Sequence, residues 1–145
     1  MLSNTKSHLT AITRRKLSVP MRSITKWLTH PCLDYGCGKG FDADTLHLDK
    51  YDPHYFPTRP TKKYDNITCN YVLNVVLPEE EKNVLTDIDS LLTDDGLAFI
   101  TVRRDVKTDG FTRKGTYQRN VELPLRIYKQ TKTYCIYTMR KGELL

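Results

Sequence analysis

The sequence predicts an α/β layered domain built on a trimmed, mostly parallel sheet that finishes in a C-terminal antiparallel hairpin. Three observations carry that expectation. Short apolar, strand-like runs alternate with helical patterns through residues 18–102, which is how a parallel sheet covered by crossover helices reads. The run Cys32–Tyr35 passes directly into Gly36-Cys37-Gly38-Lys39-Gly40, giving strand, tight turn and helix start in that order. The last two apolar runs, residues 125–129 and 134–139, are joined by the polar stretch Gln130-Thr131-Lys132-Thr133, a hairpin connection.

Taken in order, residues 1–10 are polar and without periodicity, so no fixed structure is expected there. Ser18 can cap a short helix that Pro20 opens and that continues through Ile24, Trp27 and Leu28. It should end near Thr29, because the residue before Pro31 is driven out of the helical region. After the strand at 32–35, a second short strand is expected over 48–52, ended by Pro53. Residues 53–63, with Pro57 and Pro60, read as loop. The almost continuous apolar run 66–76 suits a central strand covered on both faces and is placed in the middle of the sheet. Pro78-Glu79-Glu80-Glu81 opens a helix with acids at its positive end, and Val84, Leu85, Ile88, Leu91 and Leu92 recur at helical spacing. Asp94-Asp95-Gly96 closes it, and residues 97–102 supply another buried strand. The basic stretch 105–120 is too long for a simple connection and is expected to be a functional loop.

At 145 residues the chain suits a single domain, with 39% apolar and 28% charged residues, a globular composition. No apolar run approaches the roughly 18 to 20 residues of a membrane span, and the N-terminus lacks the apolar core of a secretory signal. A cytoplasmic protein with no membrane association is expected. Cys32, Cys37, Cys69 and Cys135 form no CxxC pair and have no histidines at zinc-finger spacing, so reduced thiols and no metal are expected. The net charge of +6 is unevenly spread: residues 1–30 carry +6, 31–100 carry −7 and 101–145 carry +7. Basic ends around an acidic middle favour an anionic partner, nucleic acid above all, over a merely solvated surface.

The chemistry is concentrated at the glycine turn. Glycines at 36, 38 and 40 let backbone approach a ligand and adopt positive φ, as a nucleotide-type cofactor requires. Asp52 ends the next strand, where a carboxylate can accept hydrogen bonds from ribose hydroxyls. An ordinary strand-to-helix connection needs one glycine and explains neither the other two nor the flanking Asp34 and Asp52. Asn70 and Asn74 could serve the ligand or merely close strand backbone bonds.

At these residues the sequence resembles the class I S-adenosylmethionine-dependent methyltransferases, which share a Rossmann-like fold. Residues 34–40 look like their first motif, Tyr51-Asp52-Pro53-His54 like their ribose-binding acidic motif, and 64–73 like the strand bordering the methyl group. The resemblance implies S-adenosylmethionine as cofactor, held by Asp34, Tyr35, Gly36, Cys37, Gly38, Gly40, Asp52, Pro53 and Asn70. Asp34 would hold the turn or reach the ammonium group through water, and Asp52 would hold the ribose. Asn70, Tyr71 and Asn74 would frame the catalytic opening. A closer resemblance over residues 8–22, 73–76 and 110–118 is to the methyltransferase-like proteins associated with DNA phosphorothioation systems.

The spacing departs from the broad pattern. Only a turn or two of helix fits between Gly40 and Asp52, and no helix and strand pair lies between Asp52 and Asn66. Asn70-Tyr71-Val72-Leu73 lacks the Pro-Pro-aromatic turn of DNA amino-methyltransferases, and Cys32, although it follows Pro31, only precedes the first-motif strand and does not match the Pro-Cys nucleophile setting of cytosine-C5 enzymes. Arg14, Arg15 and Arg22 with Lys16, and Arg113, Lys114 and Arg119, are candidate phosphate contacts. Tyr117 and Gln118 could stack on and hydrogen-bond a base. The expected activity is methyl transfer to a nucleic acid or nucleotide-like acceptor. Its rivals are a catalytically reduced cofactor-binding module and an enzyme that cleaves S-adenosylmethionine.

Overall fold

The computed structural model describes residues 6–144. Its first regular helix, α1 (Val19–Ile24), begins where expected: the Ser18 hydroxyl accepts the Met21 N–H at 3.4 Å and Pro20 occupies the first turn. A 3-10 turn, Thr25–Trp27, finishes the segment ahead of Pro31. The N-terminal stretch read as unstructured contains a 3-10 turn at Ser7–Thr10, while residues 1–5 lie outside the described residues.

Eight strands follow in chain order: β1 (Cys32–Tyr35), β2 (Asp49–Tyr51), β3 (Tyr64–Asn70), β4 (Leu92–Arg103), β5 (Gly110–Phe111), β6 (Tyr117–Gln118), β7 (Arg126–Gln130) and β8 (Tyr134–Arg140). Six of them form one sheet in the order β2-β1-β3-β4-β8-β7. The first four run parallel, and β8 and β7 complete the sheet antiparallel. This is the trimmed sheet with a C-terminal hairpin that the sequence predicts. Helix α2 (Phe41–Leu46) links β1 to β2, and α3 (Pro78–Ser90) links β3 to β4. Between β2 and β3 the chain makes only a tight turn, closed by the Asp52–Phe56 bridge, and a loop.

The alternation of side chains divides the core between the two faces. Ile67, Cys69, Ile100 and Val102 pack with Val84, Leu85 and Ile88 of α3. Phe99 and Ile136 pack on the other face with Met21 and Ile24 of α1 and Ala43 of α2.

Two expected boundaries move. The run 66–76 is not one strand: β3 ends at Asn70, Tyr71 takes a left-handed φ of 61°, and Leu73–Val75 forms a 3-10 turn. Val72, Leu73 and Val76 are buried all the same, and unbroken apolarity records burial without recording strand. Asp94-Asp95-Gly96 is an irregularity within β4, whose pairing with β3 jumps from Leu92 opposite Tyr64 to Leu97 opposite Asn66. The segment 105–120, expected to be a loop, carries the small antiparallel ribbon of β5 and β6. Among the described residues, no helix is long and apolar enough to cross a membrane.

Candidate functional site

From β1 the chain crosses to β2 on one side and then returns to β3 on the other, so the strand order reverses at β1. A parallel sheet opens a crevice beyond the carboxyl ends of its strands at such a point. Here the crevice is a cavity of about 840 Å³, lined by the glycine turn, the β2 end at Asp52 and Pro53, and the β3 end at Asn70 and Tyr71. Residues 6–12 roof it. They are tied down by the Tyr55 hydroxyl, which donates to the His8 carbonyl at 3.3 Å, and by stacking of His8 on His54 with ring centroids 4.0 Å apart.

The glycine turn is built from positive φ. Gly36 has φ 76°, and a Cβ there would lie 2.4 Å from Cγ2 of buried Val72, so this glycine is demanded by the protein's own packing. Gly38, at φ 57°, faces the roof, where a Cβ would stand 3.2 Å from that of Ala11.

Three carboxylates lie beneath this turn, with different occupations. Asp42 is spent on α1, accepting the Ser18 N–H at 2.9 Å and hydroxyl at 2.7 Å. Asp34 accepts one bond, from the Thr68 hydroxyl at 2.9 Å. Burial pushes its pKa up to about 7; the Thr68 bond and Arg14 oppose that rise, and the neighbouring Asp42 and Asp52 add to it. Asp52 accepts three backbone N–H bonds, from Gly38 at 2.9 Å, His54 at 2.9 Å and Tyr55 at 3.1 Å. A carboxylate has about four acceptor positions. Asp52 therefore clasps both turns and retains roughly one position for a ligand hydroxyl.

The opposite wall carries the least satisfied groups. Both polar side-chain atoms of Asn70 are buried without a hydrogen-bond partner among the described residues, as is the hydroxyl of Thr101, its register partner on β4. Each such orphan costs about 1–3 kcal/mol unless something pairs with it. Next to it, Tyr71 holds its left-handed conformation by donating its N–H to the Thr101 carbonyl at 2.9 Å. The Arg103 guanidinium lies 5.3 Å from the Tyr71 ring centroid. Strain and unpaired polarity thus meet at the end of β3, as at many ligand sites.

Of the sequence-predicted cofactor residues, Asp34, Gly36, Cys37, Gly38, Gly40, Asp52, Pro53 and Asn70 line the cavity, and Tyr35 does not. Tyr35 is buried in the α3-side core, and its hydroxyl donates to Asp87 at 2.5 Å. It alternates to the face opposite Asp34, so the contiguous motif overstated its reach. Tyr71 and Asn74 also line the cavity, but the Asn74 amide is already employed. Its Nδ2 donates to the Arg119 carbonyl at 2.8 Å and its Oδ1 accepts the Arg103 N–H at 2.6 Å, which makes it a brace for the β5–β6 arm.

Among the predicted substrate contacts, Arg14 and Gln118 reach the cavity, whereas Arg15, Arg22 and Tyr117 do not. Arg22 lies on the outer side of α1, and Tyr117 packs edge-on against Phe111. Arg119 is buried, donating to the Val76 carbonyl at 2.9 Å and to Glu81 at 2.9 Å, so it is no phosphate contact. Thr68, Thr101, Arg103 and the roof were missed. Arg103 could have been found, since it follows directly on the predicted strand 97–102; the roof carries no periodicity to betray it.

No family model and no curated protein matches this chain. Solved structures do match. One is the Burkholderia thailandensis 1,6-didemethyltoxoflavin-N1-methyltransferase with bound 1,6-didemethyltoxoflavin and S-adenosylhomocysteine: 18% identity over 76% of this chain and 70% of that one, TM-score 0.57. This chain has the class I methyltransferase fold. Magnesium protoporphyrin IX methyltransferase from Synechocystis, with bound S-adenosylhomocysteine, aligns over 93% of this chain and 84% of its own at 15% identity and TM-score 0.56. The N-methyltransferase NodS from Bradyrhizobium japonicum, also with S-adenosylhomocysteine, aligns over 95% and 87% at 11% identity and TM-score 0.53.

Proposed function

We propose that the protein transfers a methyl group from S-adenosylmethionine to a nucleic acid or nucleotide-like acceptor. The observation that carries this reading is the buried Asn70 amide, unpartnered among the described residues, at the switch-point crevice of a methyltransferase fold. The cofactor's chemistry is that of an electrophilic methyl on sulfur, delivered to a nucleophilic acceptor atom. The residues present suit such a group. Asp34, sparsely hydrogen-bonded, offers a carboxyl to a cationic amino-acid tail, and Asp52 retains an acceptor position for a sugar hydroxyl.

On the acceptor side, Asn70 presents an amide NH2 donor group beside a carbonyl acceptor, the pairing that nucleobase edges display. Tyr71 and Arg103 form an adjoining wall. Arg14 and Lys114 line the cavity and make no ion pair among the described residues, which suits a phosphate-bearing acceptor. Holding the acceptor atom in line with the methyl and excluding water under the residue 6–12 roof would supply much of the rate. The narrower likeness to phosphorothioation-associated proteins rests on sequence segments alone and names no acceptor.

Incubation with methyl-labelled S-adenosylmethionine and separate DNA, tRNA, nucleotide and protein fractions tests the proposal. Label entering a nucleic-acid or nucleotide fraction, with S-adenosylhomocysteine released, is expected; label in protein alone or in no fraction overturns it. The heavy commitment of Asp52 to its own turns favours a second reading, a module that binds cofactor without transfer. That reading predicts cofactor binding with no product, while methylthioadenosine would indicate cleavage.

A further inference from the structure

Away from the cleft, the outer side of α1 and its 3-10 turn meets the edge strand β7, and this seam is unusual in two respects. It is aromatic: Trp27 is 54% exposed and Tyr128 36% exposed, and the Trp27 indole N–H donates to the Tyr128 hydroxyl at 2.9 Å. It is also free of acid. The stretches that build it, residues 19–28 and 126–134, contain no Asp or Glu, and they place Arg22, Lys26, Arg126, Lys129 and Lys132 at the surface. A shallow depression runs between Val19, Arg22 and Lys26 on one bank and Lys129 and Tyr134 on the other.

The aromatic and basic side chains here fit a stacked, phosphate-bearing chain better than other partners. Lys26 places its ammonium 5.3 Å from the centroid of the Trp27 ring, so a cation and a π-face are offered together. Aromatic platforms interleaved with cations are how single strands are held without sequence readout, bases on the rings and phosphates on the cations. A second copy of this chain would bring like charge against like charge. The smooth outer edge of a duplex would leave Trp27 without a base to stack on.

We infer that the α1–β7 seam is a docking surface for single-stranded nucleic acid. Arg22, which does not reach the cleft, belongs to this surface. Arg14-Arg15-Lys16 lies just ahead of α1, with Arg14 lining the cavity, so a basic stretch of chain connects seam and cleft. The inference shares with the proposed function only the expectation of a nucleic-acid partner and does not require methyl transfer.

The test is fluorescence anisotropy of the full chain with a labelled oligothymidylate of about 12 nucleotides, within the span of single-strand sites. Binding is expected to weaken with salt. The double variant Lys26→Glu/Lys129→Glu should weaken it about tenfold or more and flatten the log–log salt slope by about 1.4, at roughly 0.7 for each phosphate no longer neutralised. Trp27→Ala, at an exposed position, should weaken binding at least about fivefold by removing the stacking platform. Cofactor affinity, followed in parallel by calorimetry, should be unaltered in both variants, which separates a failure of the seam from a failure of the methyltransferase reading. No binding, binding unchanged by these variants, or equal binding to duplex, polyglutamate or phosphatidylserine vesicles overturns the inference.

Discussion

Asp34→Asn provides a quantitative test of the cleft's electrostatics. The Asp34 side chain is almost wholly buried, at 4% exposure, and its pKa is raised from an ordinary 3.8 to about 7, first by burial. Between those values the folded protein keeps a proton that the unfolded chain releases. Stability is therefore fully present below about pH 4, falls as pH rises and reaches its full penalty above about pH 7. A rise of about 3 units corresponds to about 4 kcal/mol at pH 8 and to somewhat under half of that at pH 5. Asparagine retains an acceptor for the Thr68 hydroxyl and has no charge to bury. The variant should gain on wild type by about 2–3 kcal/mol more at pH 8 than at pH 5, or roughly 5 to 10 °C in melting temperature. Urea denaturation at the two pH values measures the difference directly. A variant with the same advantage at both pH values, or one less stable than wild type at pH 8, would refute the argument that Asp34 is a destabilised carboxyl.

Other substitutions test the remaining parts. Gly36→Ala should cost about 3 kcal/mol in urea denaturation, combining its positive φ with the Val72 clash, whereas in a Val72→Ala background, with that variant as the reference, it should cost only the positive-φ part. Asn70→Ala should leave the ligand-free protein as stable as wild type, or up to about 1 kcal/mol more stable, because its amide makes no hydrogen bond among the described residues. Methyl transfer by that variant should fall at least about tenfold; retained transfer would remove Asn70 from the site. Arg119→Met should lower stability by about 2 kcal/mol through loss of the Val76 and Glu81 bonds, and it should leave oligonucleotide affinity unchanged.

What could be read from sequence was what local chemistry determines. The Ser18 cap, the glycine turn, the Pro78 helix start and the final hairpin each depend on a few neighbouring residues, and each stands where expected. The end of β3 was hidden because Val72, Leu73 and Val76 stay buried after the strand stops. Long-range satisfaction was hidden as well. Asn74 and Arg119 are suitable residues for a site, and only the fold reveals that they bond to each other's segments across 45 positions of chain. Tyr35 shows the same limit at short range, since a strand sends alternate residues of one motif to opposite faces. Arg14 and Gln118 reach the cavity while Arg15, Arg22 and Tyr117 do not, a division that charge and aromaticity could not foretell.

The central claim, that this crevice holds a sulfonium nucleoside, is tested most directly by titration calorimetry of S-adenosylmethionine into wild type and Asp52→Ala. The account predicts one molecule bound per chain by wild type and an affinity at least about tenfold weaker in the variant, for want of a charged hydrogen-bond acceptor. No heat of binding to wild type, or equal affinity for both proteins, would contradict it.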